Sequence, residues 1–262
     1  MYVESPRIIF VGGSNLSFGL NSQMILDSLH LNPINMAIHA NVGLKYIMDN
    51  TIQYIKKGDI VVLVPEYIHF SREFDYVSDE LLRTVVDVNE SNYKLLSSKQ
   101  LFDFLPLIPQ FSLSKLKPTE YFNIKDEDEG IYDIHSFNQY GDAYRHWGLE
   151  KRKFSPELLK GSDFNPEVIQ GMKKFQSAVS SKGATLFVSY PCFQDIAFSE
   201  STKAIKEIET QYIKNGFAIL GTPERYMIPD SLTFNTSYHL SKKGMDYRTN
   251  LLIEDLEAVI NP

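Results

Sequence analysis

Two apolar runs decide the fold: Arg7–Gly12 (RIIFVG) and residues 59–65 (DIVVLVP). Each is short, continuous and rich in β-branched residues, which is typical of strands buried on both faces of a parallel sheet. Between them, apolar residues at helical spacing predict helices over residues 21–31 and 43–57, and residues 34–38 (INMAI) predict a second strand. This alternation implies right-handed crossovers and a parallel sheet with helices on both faces.

The same alternation resumes in the C-terminal part of the chain. It predicts helices over residues 165–182, 199–215 and 241–260, and strands over 184–190 (ATLFVSY) and 217–220. We therefore expect one α/β domain over residues 1–262, a three-layer α/β/α sandwich around a five-stranded parallel sheet. A length of 262 residues is compatible with one large domain or one domain with an insertion.

Residues 105–163 interrupt this pattern and are rich in Pro, Tyr, Asn and Asp, with an acidic run at 126–129. A structureless segment this long is unusual unless it is functional or disordered. We predict an irregular insertion over the active-site end of the sheet that helps to bind substrate. A surface excursion with structural aromatics is the alternative. The aromatic residues that favour packing on the domain are Tyr121, Phe122, Tyr132, Phe137, Tyr140, Tyr144 and Trp147.

Composition excludes several classes of function. The net charge of −7 argues against binding to nucleic acid and to anionic membrane surfaces, because both attract Lys and Arg. The single cysteine, Cys192, excludes an intramolecular disulfide and a cysteine-rich zinc site. No window reaches the roughly 18 apolar residues of a membrane span, and no signal peptide precedes the first strand. The chain as written predicts a cytoplasmic location, or the cell envelope if an N-terminal anchor precedes it; oligomeric state stays open.

The first candidate for chemistry is Ser14, in residues 11–15 (VGGSN) directly after the first predicted strand. Ligands of open α/β sheets bind at the carboxyl ends of the strands. The preceding glycines allow a tight turn close to a substrate, and backbone N–H groups after the turn could stabilise an oxyanion. The turn has neither the Lys-[Ser/Thr] of a P-loop nor the spacing of a dinucleotide site. Alone, Gly-Gly-Ser is also a common structural turn.

The second candidate is His239, in residues 235–244 (NTSYHLSKKG) just before the last predicted helix. A loop at this position can reach the first loop across the end of the sheet. Because a serine hydroxyl is a poor nucleophile without a base to take its proton, a histidine there would activate Ser14.

These segments resemble the conserved blocks of the SGNH/GDSL hydrolase superfamily. VGGSN is similar to the block that carries the serine nucleophile, and residues 238–244 (YHLSKKG) are similar to the block that carries the histidine. Residues 34–44 (INMAIHANVGL) resemble the second block, whose glycine amide joins the oxyanion hole, and residues 59–70 stand in the place of the third. Within the superfamily, the chain most resembles divergent proteins associated with bacterial surface-polysaccharide synthesis and acylation.

The resemblance implies a serine esterase or O-acyltransferase acting on an acyl ester, on a carbohydrate in members of this style, without a cofactor. It assigns the nucleophile to Ser14, the general base to His239 and the second-block donor to Gly43, with Asn41 or Ala40 as alternatives in register. Asn15 is included with the residues that bind substrate or oxyanion.

Two departures from the family pattern concern the catalytic groups. Glu66 stands where the third block has asparagine, and a carboxyl group donates to an oxyanion only when protonated. It could instead orient His239, bind a sugar hydroxyl or be a solvated strand end. The acid expected before His239 is replaced by Thr236 and Asn235, and asparagine holds an imidazole without stabilising its charged form. A backbone carbonyl or Asp230 is the alternative partner.

Other features carry weaker interpretations. We predict no metal site, because the remaining histidines lack ligand spacing with Cys, Asp or Glu. Residues 138–142 (NQYGD) are either a substrate loop or an ordinary turn, and Cys192 is expected to be a buried structural residue. Two alternatives remain: a catalytically silent carbohydrate-binding or assembly protein with this fold, and a flavodoxin-like nucleotide or flavin binder. The histidines in question are His39, His69, His135 and His146.

Overall fold

The computed structural model describes residues 4–116, 129–159 and 163–260. The strands are β1 (Arg7–Gly12), β2 (Asn32–Asn35), β3 (Ile60–Val64), β4 (Thr185–Ser189), β5 (Phe193–Gln194), β6 (Ile219–Leu220) and β7 (Met227–Ile228). The helices are α1 (Ser14–Ser17), α2 (Ser22–Leu29), α3 (Leu44–Ile52), α4 (Asp79–Arg83), α5 (Ser98–Asp103), α6 (Ile108–Ser114), α7 (Pro166–Ser181), α8 (Asp195–Lys214) and α9 (Lys242–Ile260).

Five of the strands form one parallel sheet in the order β2-β1-β3-β4-β6. The continuous apolar runs occupy its centre: every residue of β1 is buried, and Ile9 pairs with Val61 of β3. Helix α2 packs against α9, and α3 packs against α7, so that helices cover both faces of the sheet. The predicted three-layer sandwich around a five-stranded parallel sheet is confirmed.

The strand order reverses direction beside β1. The chain passes from β1 to β2 at one edge and then crosses back to β3 on the other side of β1. In open α/β sheets the crevice at such a reversal, beyond the carboxyl ends of the strands, is where ligands bind. The loops that follow β1 and β3 therefore meet at this crevice, and they carry Ser14 and Glu66.

Several predicted elements have different bounds in the structure: helix α8 begins at Asp195 instead of residue 199, helix α2 ends at Leu29 instead of residue 31, and strand β6 begins at Ile219 instead of residue 217. Strand β2 begins and ends earlier than the predicted 34–38, although Met36 and Ile38 still donate backbone hydrogen bonds to the chain of β1. Helix α3 stops at Ile52 instead of residue 57. The backbone beyond it is held by a buried ion pair: Arg7 donates to the carbonyl of Tyr54, and Asp59 accepts from the amide of Lys56.

A small second sheet escaped prediction. Strands β5 and β7 are two residues each and pair in parallel, with Phe193 opposite Met227 and Gln194 opposite Ile228. Two-residue strands are too short to show a periodic pattern in the sequence. This sheet lies beside the loop that carries His239, since the amide of Gln194 donates to the carbonyl of Ser237.

Two short helices between β3 and the insertion, α4 and α5, also escaped prediction, and so did α6, which lies inside the segment expected to be irregular. The expectation of an irregular course throughout 105–163 was therefore wrong for residues 108–114. These helices pack on one another and on α3 around a separate apolar cluster, so no single one of them has a long amphipathic pattern. The buried members of the cluster are Val42, Tyr46, Leu81, Leu82, Val85 and Phe104.

The described part of the insertion packs on the domain near the ends of the strands. Ile131, Ala143 and the partly buried Phe137 form a cluster with Phe18 and Phe234. The predicted acidic run falls almost wholly on residues 117–128, outside the described residues, as do Tyr121 and Phe122.

The loop at residues 138–142 has a structural role. The buried carboxylate of Asp142 accepts hydrogen bonds from the amide and hydroxyl of Ser22 and from the side chain of Asn35. Gly141 has a φ of +100°, and a Cβ there would lie 2.2 Å from the carbonyl oxygen of Asn35. Because these polar groups bind one another, the loop is an ordered turn that joins the insertion to α2 and β2.

No helix within residues 4–116, 129–159 and 163–260 combines the length and apolar character that crossing a bilayer requires.

Candidate active site

Ser14 lies at the first residue of α1, immediately after the last residue of β1 and the linking Gly13. Glycine is required at position 13 because a Cβ there would lie 2.5 Å from Oε1 of Glu66 and 3.1 Å from the Cβ of Ala40. The nucleophile turn therefore packs directly against the loops that follow β2 and β3.

The loop that carries His239 is held by backbone hydrogen bonds between its two ends and by one to the residue that follows α1. Thr233 and Leu240 form an antiparallel bridge, and the amide of Phe234 donates to the carbonyl of His239 at 2.8 Å. The amide of Leu240 donates to the carbonyl of Phe18 at 2.9 Å. Since Phe18 follows Ser14 by four residues, this bond fixes the position of the His239 loop relative to the Ser14 turn.

The structure brings Ser14, His239 and Asn235 into one hydrogen-bonded chain. Nε2 of His239 lies 2.9 Å from Oγ of Ser14, and Nδ1 lies 2.8 Å from Oδ1 of Asn235. The amide nitrogen of Asn235 donates to the hydroxyl of Tyr132 at 2.8 Å, which leaves Oδ1 to face the imidazole. An amide oxygen only accepts, so Nδ1 carries the ring proton and Nε2 is the acceptor for the Ser14 hydroxyl.

The imidazole of His239 is almost entirely removed from solvent. The ring is 5% exposed and stacks on Phe18, with centroids 4.2 Å apart and an interplanar angle of 15°. Burial, together with the nearby His146 and His39, lowers the pKa of His239 to about 3. His239 is therefore neutral, the form that a general base requires, through the whole physiological range.

We expect turnover by this site to lack the usual acid limb near pH 6.5. A base with a lowered pKa stays unprotonated as pH falls, and its function is lost only near the lowered value of about 3. kcat/KM for an acetyl ester, measured between pH 4 and 7, should therefore not fall through titration of His239. Phe18→Ala, which admits water to the ring, should move an acid limb upward into this range. A half-loss as pH falls through 6.5 in the unmodified protein would contradict the assignment.

Glu66 lies beside Ser14 and is also buried, at 4% exposure. Its Oε1 accepts the backbone N–H of Asn15 at 2.9 Å and lies 3.4 Å from both Oγ of Ser14 and Nδ2 of Asn15. Burial, with a smaller contribution from the charge of Glu157, raises the pKa of Glu66 to about 7 against the lowering effect of the hydrogen bonds from Asn15 and Ser14. The suggestion that Glu66 orients His239 is corrected, because Asn235 holds Nδ1 and Glu66 faces the Ser14 turn.

Three predicted oxyanion or substrate residues are engaged elsewhere. The amide of Gly43 donates to the carbonyl of Ala40, and the amide of Asn15 donates to Glu66. The amide of Asn41 donates to Nδ1 of His39, and its side chain lies between Arg72 and Glu80. Neither Gly43 nor Asn41 has a free amide for a substrate. Ala40, the other second-block alternative, contacts the Gly13 turn, and among the described residues its amide has no acceptor.

The alternative partners for His239 have other roles. Asp230 binds Lys151 and the side chain of Gln194, so it does not steady the imidazole. The hydroxyl of Thr236 accepts the backbone amides of Tyr238 and His239, which shapes the loop without touching the ring.

The remaining histidines and the cysteine support the packing. His69 accepts the amide of Glu66 at Nδ1 and lies 3.1 Å from the carbonyl of Ala40 at Nε2, while His146 lies 3.0 Å from the carbonyl of Leu240. The thiol of Cys192 is buried, and burial raises its pKa to about 12. In the part of the chain that the structure describes, no three His, Cys, Asp or Glu side chains cluster as metal ligands would.

Two residues of the site had not been singled out from the sequence. Phe18 covers the imidazole, and Tyr132 holds the amide of Asn235 in its orientation. The aromatic content of the insertion was a general signal for Tyr132. For Phe18 the only signal was its position one helical turn after Ser14.

No protein-family model and no curated protein sequence matches the chain. Its fold is similar to that of the protein YxiM from Bacillus subtilis, with a TM-score of 0.43 and 14% identity over 96% of this chain. It is also similar to an acetyl xylan esterase, Est2A, from the rumen bacterium Butyrivibrio proteoclasticus, with a TM-score of 0.41 and 10% identity over 100% of this chain. The chain spans 56% of the first protein and 66% of the second, less than two thirds of either.

Proposed function

We propose that this chain is a serine esterase or O-acyltransferase of the SGNH type that acts on an acyl ester of a carbohydrate. The observation that carries the proposal is the separation of 2.9 Å between Oγ of Ser14 and Nε2 of a neutral, oriented His239. A nucleophile in hydrogen-bond contact with a base, whose other nitrogen is held by a third residue, is the arrangement that covalent acyl transfer requires.

The reaction follows from this arrangement. Nε2 of His239 takes the Ser14 proton as Oγ bonds to the ester carbonyl carbon. When the tetrahedral intermediate collapses, the bond to the alcohol oxygen breaks, and the imidazolium returns its proton to that oxygen. The acyl group remains on Ser14 until water or a sugar hydroxyl attacks it by the same steps in reverse. Hydrolysis and transfer differ only in this acceptor, and no cofactor takes part.

The proposed enzyme is a slow one because of Asn235. Its amide oxygen holds the tautomer, but it provides no negative charge to stabilise the imidazolium that forms during each proton transfer. Burial of the ring against Phe18 opposes the same charged form. We therefore expect turnover well below that of an enzyme with an aspartate in this place.

Ser14→Ala should lower kcat for p-nitrophenyl acetate by about 10²-fold. In a serine protease, loss of the serine lowers kcat about 10⁶-fold, and loss of the acid alone lowers it about 10⁴-fold. Because the acid is already replaced by Asn235 here, we expect loss of Ser14 to cost the remaining factor of about 10². The measurement is ester turnover together with mass spectrometry of the Ser14 peptide, which should gain one acetyl group in the unmodified protein only.

Ser17→Ala is the matched control, since it removes a hydroxyl from the same short helix whose partner is the carbonyl of Ala37. It should retain turnover. Equal turnover by the unmodified protein and Ser14→Ala would contradict the proposal and favour a silent carbohydrate-binding or assembly protein. If the unmodified protein turns over the ester, adding an oligosaccharide acceptor distinguishes a hydrolase from a transferase. A transferase forms acylated sugar, whereas a hydrolase releases free acetate.

A further inference from the structure

The two carboxyl oxygens of Glu66 have different surroundings. Oε1 faces the nucleophile turn, where it accepts the amide of Asn15 and lies 3.4 Å from Oγ of Ser14. The side chain of Glu66 also accepts the backbone N–H of His69, as the cap of the short 3-10 helix Tyr67–Ser71. A buried carboxyl group is therefore held beside Ser14, with the hydrogen bonds from Asn15 directed to Oε1.

No cation balances this carboxyl group. Among the described residues none of the salt bridges includes Glu66, and the group behind its backbone amide is the neutral imidazole of His69. The other titratable groups around it do not favour a negative charge. Glu157 is acidic, the thiol of Cys192 and the phenol of Tyr238 are neutral and buried, and His239 is a neutral base.

Burial without a counter-charge favours the protonated acid, because a carboxylate in such a place loses its hydration without compensation. The donors on Oε1 come from the backbone and side chain of Asn15, and they suit the carbonyl oxygen of a carboxylic acid. The acid proton then belongs to Oε2, the oxygen to which Asn15 does not donate.

We propose that Glu66 acts as a neutral carboxylic acid whose Oε2–H donates a hydrogen bond to the oxyanion formed on Ser14. This inference rests on the proposed function and assigns one further catalytic residue to it. A protonated carboxyl group kept neutral by burial is a known way to supply an oxyanion donor. It fills the role for which the amides of Gly43 and Asn41 are not free.

The proposal gives the proposed enzyme an alkaline limit. As pH rises through about 7, Glu66 loses the proton that it would donate, and the carboxylate repels the developing oxyanion. kcat/KM should therefore be highest below pH 7 and fall about tenfold for each further pH unit. His239 alone would give a flat profile through neutral pH, because its lowered pKa lies near 3.

The test is the pH profile of Glu66→Gln. Glutamine has nearly the same shape and donates a hydrogen bond at every pH, so the variant should retain most of the turnover measured at pH 6 and lose the decline above pH 7. Glu66→Ala has no donor and should fall by about 10²- to 10³-fold at all pH values.

Glu157→Gln is the matched control, because Glu157 is the acidic neighbour whose charge raises the pKa of Glu66. It should keep the alkaline decline and move it to lower pH. In parallel, the carboxyl ¹³C resonance that disappears in Glu66→Gln should titrate near pH 7.

Turnover with an unchanged decline in Glu66→Gln, or a Glu66 carboxyl group that is ionised at pH 6, would overturn this inference and leave the proposed function intact. Absence of turnover by the unmodified protein at every pH contradicts the proposed function and the role of Glu66 with it.

Discussion

Asn235→Asp is expected to raise kcat for an acetyl ester by about 10²- to 10⁴-fold. The upper value is the cost of the reverse change in a serine protease, where asparagine in place of the triad aspartate lowers turnover about 10⁴-fold. Asn235 is partly exposed and 2.8 Å from Nδ1 of His239, so an aspartate there would be ionised and would face the ring proton directly. The hydroxyl of Tyr132 can donate to the new carboxylate in place of accepting from the amide.

Asn235→Asp should also change the pH dependence of turnover. A carboxylate beside Nδ1 favours the imidazolium, so the pKa of His239 should rise from about 3 toward the ordinary value. The acid limb of the pH profile should rise with it into the measurable range. A faster variant whose acid limb does not move would owe its rate to something other than the charge.

Asn89→Asp is the matched control for the added charge. Asn89 lies among the short helices before the insertion, and its Oδ1 accepts from the hydroxyl of Ser91, which an aspartate can also do. This variant should leave turnover unchanged. Asn235→Ala should lower turnover, because it releases the ring that Asn235 orients. No gain in Asn235→Asp would mean that steps other than proton transfer limit the reaction.

The second large effect concerns stability. Asp59→Asn is expected to lower the free energy of unfolding by about 3–5 kcal/mol, the usual cost of removing one partner of a buried ion pair. Arg7 is 5% exposed and Asp59 is 1% exposed, and the carboxylate accepts from both Nε and Nη2 of the guanidinium. Without the carboxylate, a buried cation at the start of β1 has no opposite charge.

The midpoint of urea unfolding measures this loss. Asp49→Asn is the control, because the Lys45–Asp49 pair lies at the surface, where removal of one partner costs less than about 1 kcal/mol. The double variant Arg7→Met, Asp59→Asn should lose less free energy of unfolding than the two single variants lose together, because it contains no unpaired buried charge. Equal losses for Asp59→Asn and Asp49→Asn would show that burial of the pair has no energetic weight.

The centre of the sheet was predictable from local sequence. The bounds of β1 agree with the prediction, and β3 and β4 fall within one residue of theirs at each end. Strands buried on both faces are apolar along most of their length, so each leaves a short, continuous run rich in β-branched residues. The edges of the fold were less predictable, because the two-residue strands β5 and β7 and the short helices α4 to α6 depend on their neighbours for burial.

The sequence by itself determined that a serine follows the first strand and that a histidine precedes the last helix, and the order of elements predicted that they meet. Only the tertiary structure decided that Asn235 is the partner of the histidine, because Asn235 and Asp230 were both within reach along the chain. It also decided that Glu66 faces Ser14 without a cation and that Phe18 covers the imidazole. Burial, pairing and the resulting pKa depend on groups brought together from distant parts of the chain, and no local pattern contains them.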